Sequence, residues 1–274
     1  MFTLHPVIAL YEPDRTIIFT NILYRINSDK MMKRALLLIS FTFCCTAAYS
    51  ENLAEASEKI SNSIAPQQTK LIFDNQLRDA TNWSPEFETN GSLHISQDEM
   101  DVEAPKGATI WFKPRLSSPI EITYEIQAVA EGGTLDQVSD LNCFFMARDP
   151  LHQDHLPARS GKFEDYNNLL LYYVGLGGNR NTTSRMRRYI GDPVVRPYLP
   201  ENDLSAADDL LKPNVWQTIR IVANGPEIRY YRDERLMFRL DDSEPYTSGW
   251  FGFRTTWNHM RIRNFRVYRI TSKP

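Results

Sequence analysis

The strongest constraint on the fold is a succession of short strand-like segments that no amphipathic helix of useful length interrupts. In residues 120–126 apolar side chains alternate with Glu121, Thr123 and Glu125, so one face of this strand would be buried and the other exposed. Similar apolar or alternating segments cover residues 71–73, 93–95, 109–112, 142–148, 169–174, 216–223, 228–231, 236–240, 251–255 and 262–268. Closely spaced strands without crossover helices predict an antiparallel β-sandwich or barrel that forms one domain over residues 70–271.

The composition limits the class of protein. Of the 274 residues, 42% are hydrophobic and 24% are charged, as in ordinary globular proteins. Lysine and arginine number 31 against 34 aspartates and glutamates, and a net charge of -3 gives no general case for binding nucleic acid. We expect a monomer with no nucleic-acid partner and no membrane span.

The N-terminal region has the pattern of a targeting segment. An apolar run at residues 35–43 follows Lys33 and Arg34 and precedes the small residues Ala48 and Ser50. This pattern is typical of a secretory signal peptide, and the run is too short to span a bilayer comfortably. We predict a signal peptide at residues 31–50 and a periplasmic or extracellular protein. Residues 1–30 are interpreted as translation from an upstream start codon, with an ordered extension as the weaker alternative, and residues 51–69 as a linker.

The three cysteines support an interpretation without disulfides. Cys44 and Cys45 would leave with the signal peptide, so Cys143 would have no partner in the mature chain. Cys143 lies in an apolar segment, where a small buried residue is a better interpretation than a nucleophile. A lipid anchor on Cys44 is a weaker alternative, because Phe43 is not the small residue that a lipoprotein signal places before its cysteine.

Two groups of motifs resemble known domains. The first group is similar to the closing strands of concanavalin A-like jelly-roll domains and comprises residues 216–225 (WQTIRIVANG), 228–233 (IRYYRD) and 248–254 (SGWFGFR). The second group comprises residues 172–183 (YYVGLGGNRNTT), Arg185, Arg187, Arg188 and Tyr189, residues 253–261 (FRTTWNHMR) and residues 264–268 (NFRVY). It resembles a secreted bacterial family related to the YesU-like proteins of polysaccharide-utilisation loci.

The resemblance covers residues 71–270 and implies an all-β jelly-roll sandwich of two antiparallel sheets. It also implies a concave groove of the size of a glycan, with a polysaccharide or oligosaccharide as the partner. It implies no particular reaction, because one fold serves many functions.

The alternation of side chains predicts which residues face the groove. The residues predicted to face the core are Cys143, Phe145, Ala147, Leu169, Leu171, Tyr173, Phe251 and Phe253. The opposite, groove-facing set is Asn142, Phe144, Met146, Arg148, Tyr172, Trp250, Arg254 and Thr256. In this arrangement Arg148, Tyr172 and Arg254 share one surface, and Trp250 offers a platform on which a sugar could stack. A bulge would shift these assignments by one residue, and the apolar phase does change near Asn264.

Residues 175–188 are interpreted as a second candidate binding element, a loop rich in glycine and arginine. Its arginines are Arg180, Arg185, Arg187 and Arg188, with no acidic residue between them, and Asn179 precedes the first of them. Arginine favours planar, bidentate recognition of a carboxylate, which a uronic-acid polymer would supply. The alternative is that the arginines are solvated on the surface or pair with nearby acids. Those acids are Asp192, Asp203, Asp208 and Asp209.

Histidines provide further candidates. His259 has the titration range of a general acid or base and lies beside Trp257 and Asn258. A lone histidine is, however, more often a hydrogen-bonded structural residue. A short cluster contains Asp149, His152, Asp154 and His155, and we interpret it as a polar loop because zinc would need a further ligand. We predict no metal and no cofactor, with structural calcium at acidic loops as a minor alternative.

We favour a polysaccharide lyase among enzymes. Glucanases of this fold carry a Glu-x-Asp-x-x-Glu triplet on one strand, which is absent here, so a glycoside hydrolase is disfavoured. Elimination on a uronate needs a group that neutralises the carboxylate and one that moves the proton, and the candidates are His259, Tyr172, Arg254 and Arg148. The candidate substrate-binding residues are Asn142, Asn179, Arg180, Arg185, Arg187, Trp250, Trp257 and Asn258. The alternative is a non-catalytic glycan-binding module in which the same aromatic and arginine side chains bind a sugar.

Overall fold

A computed structural model describes residues 68–271 as two antiparallel β-sheets. The strands are β1 (Gln68–Phe73), β2 (Trp83–Phe87), β3 (Ser92–Ser96), β4 (Glu99–Ala104), β5 (Ala108–Ser117), β6 (Ile120–Ala128), β7 (Asn142–Arg148), β8 (Leu170–Gly177), β9 (Thr183–Ile190), β10 (Asp203–Leu204), β11 (Gln217–Asn224), β12 (Glu227–Arg232), β13 (Arg235–Asp241), β14 (Ser248–Thr255) and β15 (Asn258–Thr271). Strand β1 begins at Gln68, inside the predicted linker. The predicted upstream segment, the signal peptide and most of the linker lie outside the described residues.

The two sheets have the order of a jelly roll. Sheet I runs β13-β12-β11-β6-β15-β4-β3, with β1 also paired to β15, and sheet II runs β10-β9-β8-β7-β14-β5-β2. Long-range pairs such as β6 with β15 and β5 with β14 join strands that are far apart in sequence. The prediction of an all-β jelly-roll sandwich of two antiparallel sheets is confirmed.

The core lies between the sheets and is rich in aromatic rings. Phe251 and Phe253 of β14 lie on one side, with ring centroids 4.9 Å apart, and Tyr124 and Phe265 of sheet I pack against them. Each such buried ring contributes about 1.5–3 kcal/mol relative to an exposed one. Cys143 is fully buried among these side chains, and burial raises the pKa of its thiol to about 12, so it is protonated and acts as a small apolar residue.

A second apolar cluster covers the opposite, outer face of sheet II. The segment between β7 and β8, residues 149–169, crosses this face and is called the covering loop below. The cluster joins sheet residues to the covering loop and consists of Trp111, Phe144, Ala147, Tyr166, Leu169, Leu171, Tyr189 and Trp250. Because strand β8 is therefore apolar on both faces, alternation along it does not distinguish the core side from the outer side.

The turns agree with the sequence in some places and not in others. The segment at residues 232–235 between two strand-like segments predicts a hairpin turn, and β12 and β13 do pair through such a turn, with Asp233 and Glu234 at φ 48° and 62°. The change of phase near Asn264 is also confirmed, because β15 shifts register against β6 there and Asn264 has φ 59°. The interpretation of residues 175–188 as a loop is wrong. They form the end of β8, a tight turn at Gly178–Asn181 and most of β9.

Within residues 68–271, no helix has the length and apolar character needed to cross a membrane.

Candidate functional site

The covering loop is fixed to sheet II by a buried carboxylate. Glu86 of β2 accepts hydrogen bonds at Oε2 from the Trp111 indole (2.9 Å) and the Tyr166 hydroxyl (2.7 Å). Its Oε1 accepts a hydrogen bond from the backbone N–H of Arg159 (2.8 Å). Two of these three donors, Tyr166 and Arg159, belong to the covering loop, so Glu86 holds the loop in one position on the sheet.

Arg254 of β14 is a buried guanidinium beneath the same loop. Only 1% of its surface is exposed, and its Nη1 donates to the Gly161 carbonyl (2.6 Å) and to Thr109 Oγ1 (3.2 Å). The guanidinium lies 5.3 Å from the ring centroid of Phe163 and 5.2 Å from that of Tyr166. It forms no ion pair with any carboxylate of residues 68–271, and burial lowers its pKa.

Two adjoining cavities open beside Arg254 at one end of sheet II. The larger, of about 480 Å³, is called the tryptophan cavity, and its lining includes Glu88, Lys106, Gly107, Glu164, Arg254 and Trp257. The smaller, of about 190 Å³, is called the arginine cavity, and its lining includes Asp140, Tyr173, Gly175, Asn179, Arg185 and Arg187. Phe163 and Thr256 line both cavities, so the two form one composite site.

The topology of sheet II explains why these residues meet. Strands β5, β7 and β9 begin at this end of the sheet, and β8 and β14 end there, because neighbouring strands are antiparallel. In the register Arg254 pairs with Asn142, Gly175 with Arg185, and Tyr173 with Arg187. The composite site therefore crosses five neighbouring strands, a width of about 19 Å at the usual strand spacing.

The arginines on β9 have different environments. Arg185 forms a bidentate ion pair with Asp203, with both distances 2.6 Å, and this hydrogen bonding raises the pKa of its guanidinium. Arg187 forms no ion pair with the described carboxylates, and its buried Nε has no hydrogen-bond acceptor there. Both guanidiniums lie near the ring of Tyr198, which is 48% exposed, at 4.8 Å for Arg185 and 5.9 Å for Arg187.

The remaining polar groups of the arginine cavity are Asp140 and Tyr173. Asp140 accepts hydrogen bonds from Asn142 Nδ2 (3.1 Å) and Thr256 Oγ1 (2.8 Å), so both its oxygens are engaged. Burial raises the pKa of Tyr173 above its usual range, and its hydroxyl is therefore neutral. Gly175 makes room for this hydroxyl, because a Cβ there would lie 2.9 Å from it.

The predicted surface shared by Arg148, Tyr172 and Arg254 does not form. Tyr172 faces the core, where its hydroxyl donates to Asp242 (2.6 Å) and accepts from the Tyr246 N–H (3.1 Å). The predicted facing of β8 is therefore wrong by one residue, and Leu169, Leu171 and Tyr173 belong to the outer cluster instead.

A bulge in β7 explains the position of Arg148. Met146 has φ 51°, and the register of β7 shifts against both of its neighbours at this point. Met146 consequently packs in the main core and Ala147 in the outer cluster, the reverse of the prediction. Arg148 lies with its guanidinium 5.1 Å from the ring centroid of Tyr246, away from Arg254.

His259 lies on the other sheet. It occupies β15 opposite β4, where its Nδ1 contacts Asp136 Oδ1 (3.1 Å) and its Nε2 contacts Asp101 Oδ1 (3.0 Å). Burial lowers the pKa of His259, but hydrogen bonding to Asp101 and Asp136 outweighs it and the net shift is upward. The histidine is thus an anchor between a turn and sheet I, separated by the sandwich from Arg254.

The predicted binding residues divide into two groups. Asn179, Arg185, Arg187 and Trp257 line the composite site, and Trp257 is 45% exposed. Trp250 is only 8% exposed and donates to the Lys113 carbonyl, so it is no sugar platform. Asn258 is fully buried and bonded to Thr255 and Ser139, Asn142 is bonded to Asp140, and Arg180 is exposed in the turn outside both cavities.

Some site residues were missed from sequence. They are Glu88, Lys106, Asp140, Phe163 and Tyr173. For Tyr173 a signal existed, since it adjoins the predicted Tyr172 and a one-residue shift places it in the site. Phe163 lies in the covering loop, and no periodic pattern of apolar residues in that loop indicates that it packs on sheet II.

The polar loop interpretation of Asp149 and its neighbours fits the contacts. Asp149 accepts hydrogen bonds from Arg159 Nη2 and from the Leu151 N–H, both at 2.8 Å, and lies 3.3 Å from His152 Nδ1. Among residues 68–271, no group of three or more His, Cys, Asp or Glu side chains is placed to hold a metal ion.

The fold and the composite site define a jelly-roll domain with a polar and aromatic surface site. Residues 102–265 match the family described as Domain of unknown function (DUF6250), and the chain belongs to this family. No curated protein matches the sequence.

Solved structures with a similar fold come from distant proteins. A Bacillus subtilis protein of unknown function with a galectin-like fold is 14% identical, with 75% of this chain and 100% of that chain covered and a TM-score of 0.57. The metal-free carbohydrate recognition domain of Emp46p is 13% identical, with 74% and 100% covered and a TM-score of 0.51. The Bacillus subtilis carbohydrate binding module CBM66 is 13% identical, with 68% and 94% covered and a TM-score of 0.46.

Proposed function

We propose that the chain is a carbohydrate-binding protein and that the composite site binds a glycan. The observation that carries this proposal is the position of Trp257, an exposed aromatic side chain beside a cavity with polar groups on its walls. An aromatic face takes the apolar face of a sugar ring, while surrounding donors and acceptors take its hydroxyl groups.

Several features of the site support binding of this kind. The tryptophan cavity offers Lys106, Glu88 and Glu164, and the arginine cavity adds the Tyr173 hydroxyl and Asn179. The site is open on the surface and wide enough for more than one sugar ring. The carbohydrate recognition domain named above shares the fold, which is consistent with the proposal but does not assign a ligand.

Calorimetric titration of the purified chain against a panel of neutral and acidic oligosaccharides tests the proposal. We expect one or more of them to bind, and Trp257→Ala to weaken that binding severalfold without lowering the melting temperature. Trp216→Ala is the matched control, because Trp216 lies next to β11 of sheet I and lines neither cavity. The guanidinium carbon of Arg263 lies 4.1 Å from the centroid of its ring. Binding that is unchanged in Trp257→Ala would place the ligand elsewhere, and no binding across the panel would refute the function.

A lyase is the second candidate, and one observation favours it. Tyr173 lies between the two unpaired arginines of the site, and the positive charges of Arg254 and Arg187 lower its pKa in part. These are the residue types that elimination on a uronate requires, with Tyr173 in the place predicted for Tyr172. Burial nevertheless raises the net pKa of Tyr173, which disfavours its phenolate form as a base, and binding is the better-supported function.

The two candidates separate in one incubation. Ultraviolet absorbance during incubation with uronate polymers reports unsaturated products, and an assay for new reducing ends detects hydrolysis as well. A lyase would produce the ultraviolet signal and lose it in Tyr173→Phe while keeping affinity. A binding protein would give neither signal.

We also propose that the protein is secreted, and N-terminal sequencing of the exported form is expected to begin at Glu51.

A further inference from the structure

We propose that the composite site selects an acidic sugar and binds its oxyanion, a carboxylate or a sulfate ester, through Arg187 with the support of Arg254. This inference rests on the proposed glycan-binding function and names the ligand class for the same site. It is carried by the hydrogen-bonding state of the arginines in residues 68–271.

Unpartnered guanidinium nitrogens are concentrated at this site. Three arginines of the described chain have a buried Nε without an acceptor, namely Arg148, Arg187 and Arg254. Arg148 lies against Tyr246, whereas the other two line the adjoining cavities. A buried donor without an acceptor destabilises the folded protein, and more so when it is charged, so an arriving acceptor recovers this free energy.

Apart from the exposed Glu164 at the rim of the tryptophan cavity, the acidic residues at the site are already engaged. Asp203 holds Arg185, and Asp140 accepts from Asn142 and Thr256. Glu88 accepts from the Gly107 N–H at 3.3 Å and lies 3.9 Å from Lys106 Nζ. Arg187 and Arg254 are therefore the cations of the site that have no carboxylate of their own.

The geometry favours Arg187 as the primary contact. It lies opposite Tyr173 on β8, and the neutral Tyr173 hydroxyl can donate a hydrogen bond to the same anion. Arg254 already donates from Nη1 to the covering loop and to Thr109, which leaves Nε and Nη2 without partners among the described residues. A planar guanidinium binds an oxyanion through two parallel hydrogen bonds, which an ammonium group does not do.

A matched set of ligands tests the inference. The purified chain is titrated with an oligogalacturonate, with its methyl ester, and with neutral and sulfated oligosaccharides of similar length. We expect the free acid or the sulfated ligand to bind about tenfold or more tightly than the neutral forms. Comparison of the acid with the sulfate identifies which oxyanion is preferred.

Variants assign the preference to the residue. Arg187→Gln is expected to abolish the preference for the acidic ligand, and Arg187→Lys to retain part of it, because the charge remains but the bidentate geometry is lost. Arg266→Gln, on sheet I and paired with exposed Asp74, is the control and should leave the preference unchanged.

The outcomes distinguish the inference from the proposed function. Equal binding of acidic and neutral ligands, weakened by Trp257→Ala, would overturn the anion selectivity and leave glycan binding in place. A preference for the acid that persists in Arg187→Gln would also overturn it. No binding of any glycan would overturn both. Near-ultraviolet circular dichroism of each variant shows that it is folded.

Discussion

Arg254 donates a 2.6 Å hydrogen bond to the carbonyl oxygen of Gly161, and this bond joins sheet II to the loop that covers it. Gly161 has φ 86° and lies against the end of β2, where an added Cβ would meet the backbone of Phe87 and Glu88. Arg254 lines the composite site, as does Phe163, two residues after Gly161 in the same loop. The shape of this site therefore depends on the docking of the covering loop as much as on the sheet.

We predict that Gly161→Ala destabilises the protein by about 2–4 kcal/mol, the sum of backbone strain and steric overlap. A Cβ at this position would lie 2.4 Å from the Glu88 nitrogen and 2.6 Å from the Phe87 carbonyl carbon, which are backbone atoms and cannot rotate away. Urea unfolding measures the change. Gly132→Ala is the control, since Gly132 has φ 102° but no atom within 4 Å of an added Cβ, and it should cost about 1 kcal/mol. Equal losses in the two variants would contradict the contact.

We predict that Glu86→Gln loosens the covering loop and costs about 1–3 kcal/mol of stability. Oε2 of Glu86 accepts from both Trp111 and Tyr166, and Oε1 accepts from Arg159, so an amide NH₂ in either place would face a donor. The substitution should increase the rate of backbone amide hydrogen exchange more in residues 149–169 than in the rest of the described chain. Glu103→Gln removes an exposed carboxylate on β4 and serves as the control. Unchanged exchange in the loop would show that Glu86 does not hold it.

Alternation of side chains indicates the facing of a strand only where one of its faces is less apolar than the other. Along β14 it correctly places Phe251 and Phe253 in the core and Arg254 on the other face, because only one face of that strand is continuously apolar. It is wrong along β8, where Tyr172 and Leu171 are both apolar enough to be buried and are buried on opposite faces. The bulge at Met146 has no signature in composition, so the position of Arg148 could not be predicted.

The arginine-rich segment illustrates a second limit. Residues 183–190 contain three arginines, a composition that favours a loop, yet they form β9. Alternation within this strand places Arg185 and Arg187 toward the composite site, and Arg188 on the other side, where it pairs with Asp242. The alternative of pairing with nearby acids is correct for Arg185 and Asp203 but not for Arg187. Pairing depends on strand register, which a single sequence does not specify.

We predict that Tyr172→Phe and Tyr173→Phe have different effects. Tyr172→Phe removes a buried hydroxyl that bonds Asp242 and the Tyr246 N–H, so it should cost about 1–2 kcal/mol in unfolding free energy and leave glycan affinity unchanged. Tyr173→Phe removes a hydroxyl that faces the arginine cavity, so affinity should fall with little loss of stability. Denaturant unfolding and calorimetric titration are measured on both variants. Weaker binding in Tyr172→Phe alone would contradict the assignment of the two faces.

We predict a pH-dependent contribution of His259 to stability. Asp136 accepts hydrogen bonds from the backbone N–H groups of Glu131 and Gly133, and His259 contacts both this carboxylate and Asp101. Protonated His259 therefore anchors the turn at residues 131–136 to sheet I. The charged groups around it also include Arg261, which shares Asp101 and is repelled by the imidazolium.

The direction of the pH effect follows from the raised pKa of His259 in the folded state. Its stabilising contribution is fully present below the pKa of an unfolded histidine, about 6.5, and is lost as the pH rises through the higher folded value. The difference in unfolding free energy between the parent chain and His259→Gln should thus be largest near pH 5.5–6 and decline toward pH 9. His155→Gln removes an exposed histidine of the covering loop, far from Asp101 and Asp136 in the sequence, and serves as the control. A difference that grows with pH would mean that burial, and not the two carboxylates, dominates the pKa of His259.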